Sequence, residues 1–166
     1  LGSFNVRPEL RNAAIGGVML REIAEREADG HDVHANFYPT SASGPLLVEQ
    51  SGFVITGVVE VPRGNAEAPE LGFTIVRDNA RNARLKSREA RVTAVEIMAA
   101  AQHPARLKKQ GIRISRYDLS EGSAEMIADV QRAVAAGEIA TRFIADPKNR
   151  NIRYVAFERL PEEDES

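Results

Sequence analysis

Residues 53–61 read Phe-Val-Ile-Thr-Gly-Val-Val-Glu-Val, and seven of the nine are β-branched or aromatic. Branching at Cβ restricts side-chain rotation in a helix and suits a pleated surface, so this run reads as a strand. Immediately after it, residues 62–69 carry Pro62, Gly64-Asn65 and Pro69, which mark a turn. Residues 71–76, Leu-Gly-Phe-Thr-Ile-Val, then read as a second strand. Two such runs joined by a turn make a hairpin with a longish loop, and a hairpin is antiparallel.

The chain on the N-terminal side fits around that hairpin. Residues 39–45, Pro-Thr-Ser-Ala-Ser-Gly-Pro, have the composition of a loop, and residues 31–38 alternate Val33, Ala35 and Phe37 as a short strand would. Residues 8–28 read as a helix opened by Pro8, with apolar Leu10, Ala14, Val18, Leu20 and Ile23 near a 3.6-residue period. Gly16-Gly17 weakens its middle by about 1 kcal/mol per glycine, and Asp29-Gly30 ends it.

On the C-terminal side, residues 78–86 show no period. Ser87 reads as the cap of a helix over 88–101, stopped by Pro104. A short basic segment follows at 105–110, and then a strand at 112–117 alternates Ile112 and Ile114 with Arg113. Ser120 reads as the cap of a helix over 121–136, with Met126, Ile127, Val130 and Val134 along one face and Gly137 at its end. Residues 139–145 and 152–157 make a second hairpin around a turn at 146–151. The resulting order predicts an α+β fold, with a mixed or mainly antiparallel sheet of about 5–6 strands and three helices.

The chain has 166 residues, enough for one domain with a real core. Leu1-Gly2-Ser3 reads as the remnant of a cleaved fusion linker, 4–160 as a single α+β domain, and 161–166 as an acidic disordered tail. Phe4 rather than Met follows the first three residues, as expected of a domain excised from something larger. Aromatic residues are 5% of the chain with no Trp, so Ala, Val, Ile and Leu are expected to build most of the core. The absence of cysteine excludes disulfides, thiolate zinc sites and cysteine nucleophiles, and favours a cytoplasmic setting. No apolar run approaches the ~20 residues of a membrane span, so no membrane partner is expected.

The charge is sorted along the chain. Residues 77–116 hold eleven basic side chains against three acids, a net +8, whereas the whole chain carries −2. The basic members are Arg77, Arg81, Arg84, Lys86, Arg88, Arg91, Arg106, Lys108, Lys109, Arg113 and Arg116. By segment, residues 1–60 carry −4, 61–116 carry +7 and 117–166 carry −5. Lysine and arginine displace condensed counterions from phosphates, and the guanidinium fork matches phosphate oxygens. The expected function is therefore nucleic-acid (DNA or RNA) binding. Its surface would be Arg77, Arg81, Arg84, Lys86, Arg88, Arg91, Arg106, Lys108 and Lys109, with Lys148 and Arg150 added from the tip of the last hairpin. A helix followed by a hairpin with a basic tip is similar in outline to a winged helix, an arrangement common in α+β folds. The alternative is a non-enzymatic assembly or adaptor module, a homo-oligomer or a partner-binding protein, whose basic segment docks on an acidic face. The plainest reading of a charge run is a solvated surface paired with the chain's own acids.

Signals for catalysis are weak. His31, Asp32 and His34 are close in sequence, but positions 31 and 34 of a strand point to opposite faces, poor geometry for one ion. Ser43-Gly44 and Ser51-Gly52 read as turn pairs, and neither a nucleophile elbow nor a phosphate-binding glycine loop is present. No metal, cofactor or catalytic residue is assigned.

Overall fold

The computed structural model describes residues 32–61, 69–77, 92–103, 105–108 and 111–159, with helical positions at 18, 19, 22, 23 and 26. The rest of the predicted helix over 8–28, the 62–68 turn, the Ser87 cap and the 161–166 tail lie outside the described residues.

The branched run forms β2 (Val54–Val61) and its neighbour forms β3 (Glu70–Arg77), antiparallel as expected. The first strand is β1 (Val33–Phe37), which pairs with β3 from Val33 opposite Arg77 to Phe37 opposite Phe73. The remaining strands are β4 (Ile112–Asp118), β5 (Glu138–Ala145) and β6 (Ile152–Arg159). Together they form one six-stranded sheet in the order β1-β3-β2-β5-β6-β4, every neighbouring pair antiparallel. The fold is α+β. β2 and β5 meet at a single register pair, Ile55 with Ala140. Strand β6 is buried from Ile152 to Glu158, because helices cover the sheet on both sides there.

Three helices pack on the sheet among the described residues. They are α1 (Ser43–Ser51), α2 (Ala94–Gln102) and α3 (Ala124–Ala135), and a single helical turn, Ala105–Lys108, follows α2. Alternation along β6 sorts its side chains between two cores. Val155 and Phe157 join Met126, Ile127 and Val130 of α3 and Leu47 and Val48 of α1. Ile152 and Tyr154 join Ile97 and Ala100 of α2 and Leu107 of the helical turn.

The structure differs from the sequence reading at three helix starts. Residues 39–45 are not all loop, since α1 begins at Ser43. Pro45 falls in its first turn, where a missing N–H costs nothing. Gly44 faces Phe37 so closely that a β-carbon there would fall 2.5 Å from Phe37 Cε2, and Gly52 closes the helix in the left-handed region at φ 75°. The cap of α2 is Thr93. Its hydroxyl accepts from Glu96 N–H at 3.2 Å and its own N–H donates to Glu96 Oε2 at 2.7 Å, a reciprocal capping box. Ser120 sits in a 3₁₀ turn, Leu119–Glu121, capped by the Asp118 carboxylate, and α3 starts after Ser123.

Most of the buried hydrophobic side chains among the described residues are Ala, Val, Ile or Leu, as expected. The largest fully buried side chains are Phe53, Phe73, Phe143 and Phe157, so the few aromatics are concentrated inside. Each contributes about 1.5–3 kcal/mol relative to an exposed ring.

Candidate nucleic-acid interface

Of the eleven residues assigned to the surface, the structure describes the side chains of four. Arg81, Arg84, Lys86, Arg88, Arg91 and Lys109 lie outside the described residues, and Arg106 is placed in the helical turn by its backbone alone. Arg77 is buried at the end of β3, opposite Val33, on the side of Phe73 and Ile75. A side chain enclosed there does not face a duplex, so Arg77 leaves the surface set. Lys108, Lys148 and Arg150 are exposed.

Two other members of the basic stretch lie on β4, the last strand of the sheet. Arg113 is held within the molecule: its guanidinium stacks 4.1 Å from the centre of the Phe157 ring, and Nη2 donates to Glu138 Oε2 at 3.0 Å. Arg116, three residues on, is exposed opposite Tyr154. Among the described residues, no carboxylate forms an ion pair with Lys108, Arg116, Lys148 or Arg150.

Register brings Arg116, Lys148 and Arg150 to one end of the sheet. Asp118 pairs with Ile152, so the end of β4 lies beside the β5–β6 turn. That turn is tied by its own side chains. Asp146 Oδ1 accepts from the N–H groups of Lys148 at 2.7 Å and Asn149 at 3.2 Å, and Asp146 Oδ2 accepts from the Tyr154 hydroxyl at 3.0 Å. Asn149 Oδ1 accepts from Asn151 N–H at 3.0 Å. Lys148 and Arg150 therefore project from an ordered scaffold.

Two of the acids at this end, Asp146 and Asp118, are engaged. The Lys148 N–H, and after it the Tyr154 hydroxyl and Asn149 N–H, hold the Asp146 carboxyl below its ordinary range; the Ser120 N–H and hydroxyl do the same for Asp118, with Arg116 adding to the effect. A depressed folded value means that the stabilisation is present above the unfolded value and is lost as pH falls through the folded one. The Asp146 carboxyl carbon should therefore titrate in NMR with a midpoint below 3.8. The Lys148 and Asn149 amide shifts should move with it, and a midpoint at or above 3.8 would contradict the turn geometry.

The sequence reading missed one residue at this end. Arg153 is 5% exposed, on the face of β6 shared with Val155 and Phe157 and directly opposite Tyr117. Its Nη1 donates to the Arg150 carbonyl and, at 3.2 Å, to the Ile152 carbonyl. Burial pulls its pKa down. The available signal was an arginine inside the otherwise apolar run of 152–157.

A second polar cluster lies on the opposite side of β5. A bulge between Ala140 and Arg142 inserts Thr141, whose hydroxyl donates to the buried Glu158 at 2.6 Å. Arg142 then reaches Glu49 of α1. Its Nε donates to Oε1 and Oε2 at 2.9 and 3.0 Å, its Nη2 to Oε1 at 2.7 Å, and its Nη1 to the Val92 carbonyl at 2.8 Å. A small cleft, open to solvent, adjoins this cluster, lined by Val92, Ile97, Ile112 and Ala156 besides the polar groups.

No family model matches the sequence, and no curated protein or solved structure matches the chain. Among the described residues, no group of three His, Asp or Glu side chains is placed to hold a metal ion, and no helix is long and apolar enough to cross a membrane. Asp32 and His34 are exposed, while His31 lies outside the described residues.

Proposed function

We propose that the protein binds nucleic acid through its basic surface. The observation that carries this reading is the net +8 held by residues 77–116 in a chain of net −2. The exposure of Lys108, Arg116, Lys148 and Arg150 without a described ion-pair partner supports it. Cations already clasped by the protein's own carboxylates would release no counterions from a phosphate backbone. Arg113, stacked on Phe157 and bonded to Glu138, is such a cation and is left out of the surface.

Fluorescence anisotropy with mixed-sequence duplex and single strands tests the reading. Binding should be strongest at low salt and fall linearly in a log–log plot against salt. The Arg84→Glu/Arg88→Glu pair should reduce the slope by roughly 2, about one for each phosphate no longer neutralised, while leaving the thermal unfolding transition in place. Absent or salt-indifferent binding overturns the proposal. A chain that ignores nucleic acid but self-associates at low salt is instead the assembly module favoured by the sorted charge, in an intracellular setting either way.

A further inference from the structure

Proteins hold single-stranded nucleic acid largely by stacking its unpaired bases on exposed aromatic rings, each stack raising affinity by on the order of 10-fold. This chain has nine such rings, six phenylalanine and three tyrosine, and no tryptophan. Among the described residues, five of the phenylalanines and two of the tyrosines are buried, none more than 7% exposed, and Tyr38 is half-buried. The buried rings are committed to the interior. Phe37, Phe73 and Phe143 pack on one another, Arg113 covers Phe157, and the Tyr117 and Tyr154 hydroxyls donate to Asp129 and Asp146. Turning one of them outward would empty a close-packed core. Phe4 is the one ring outside the described residues. Two imidazoles, His34 and His103, are exposed. His34 lies on β1, at the opposite edge of the sheet from β4 and its cations, and His103 closes α2 as a single ring.

We propose that the nucleic acid bound is a double helix gripped by its phosphates, an inference that rests on the nucleic-acid reading above. A duplex keeps its bases stacked inside and asks for no ring from the protein. It carries one charge per ~1.7 Å of axis, twice the density of either strand, so the same cations release more counterions from it. The exposed cations suit such a ligand. Lys148 and Arg150 stand on a turn that Asp146 ties, beside Arg116 near the end of β4. Side chains on a fixed frame match phosphates held at fixed spacing. Asp118, Asp146 and Glu121 equal Arg116, Lys148 and Arg150 in number, so this end of the sheet fixes orientation while the rest of the 77–116 stretch supplies the attraction.

The full chain should be titrated by fluorescence anisotropy, over a salt series, with a mixed-sequence duplex, one of its strands, and an abasic strand of the same length. The duplex should bind roughly 10-fold more tightly than the single strand at low salt. For an equal number of phosphates its log–log salt slope should be the steeper, in a ratio of about 0.9 to 0.7. The abasic strand should bind like the intact single strand, and this comparison reports stacking on arginine planes as well as on rings. Phe4→Ala and His103→Ala, which remove rings the core does not hold, should leave single-strand affinity unchanged. A single strand bound as tightly as the duplex overturns the inference, as does an abasic strand bound roughly 10-fold more weakly than the intact one. In either of those cases nucleic-acid binding itself stands. If none of the three ligands binds, the wider reading is wrong and the inference falls with it.

Discussion

Replacing Glu49 with alanine is expected to destabilise the protein by about 3–5 kcal/mol, because it strips a largely enclosed guanidinium of its carboxylate. The Arg142 and Glu49 side chains are 15% and 19% exposed, and three hydrogen bonds join them. Removing one member leaves the other charged and desolvated, which costs more than the pair contributes by being there. The same substitution should loosen the start of α2, since Arg142 Nη1 also holds the Val92 carbonyl one residue before the Thr93 cap. For a chain of 166 residues the midpoint of thermal unfolding should fall by on the order of 10 °C. The double change Glu49→Leu/Arg142→Met, which removes both charges and keeps volume, should recover most of that stability. A single Glu49→Ala protein as stable as the parent would mean that the pair is solvated in solution.

Phe143→Ala should cost a comparable 3–5 kcal/mol, roughly, by a different route, the cavity left where the ring was. Phe143 is fully buried, and its centroid lies 5.4 Å from that of Phe37 and 6.1 Å from that of Phe73. Phe37 and Phe73 meet edge-on at 5.6 Å. The three rings join β1, β3 and β5 across the sheet, so the vacancy cannot be closed by one strand moving alone. Phe143→Leu should recover more than half of the stability, because it refills most of the volume. Urea unfolding with an unchanged slope would report both variants as simple stability changes. A cost below about 1 kcal/mol for Phe143→Ala would mean that the site collapses around the truncation.

Strands are the readable part of this sequence, and for a physical reason. Residues 53–61, 71–76, 112–117, 139–145 and 152–157 carry their branched and alternating patterns locally, and each forms a strand within a residue or two of those bounds. The starts of helices are harder. Ser87 suits a cap by residue type alone, whereas Thr93 with Glu96 three positions later is a reciprocal pair that the spacing does display. Helix α1 is hidden because Pro39, Gly44 and Pro45 look like a loop, and the reason a glycine is wanted at 44 is a phenylalanine on another element. Site residues depend on such distant contacts even more. Arg77 and Lys108 are equal in a charge count, yet the first is buried at the end of β3 and the second is exposed at the end of the helical turn. Arg153 escapes the same count, because a tally of charge along 77–116 gives no weight to one arginine in an apolar strand.

The single rung between Ile55 and Ala140 makes the sheet two three-stranded leaves joined at a narrow seam. One leaf gathers residues 33–77 and the other gathers 112–159. Each leaf is built on one hairpin, β2–β3 or β5–β6, with a third strand paired from farther along the chain, while the seam joins positions farther apart still, so the loop entropy of closing it falls late in folding. Hydrogen exchange should then divide at the same line, with amides of each leaf opening together and those beside the seam opening first.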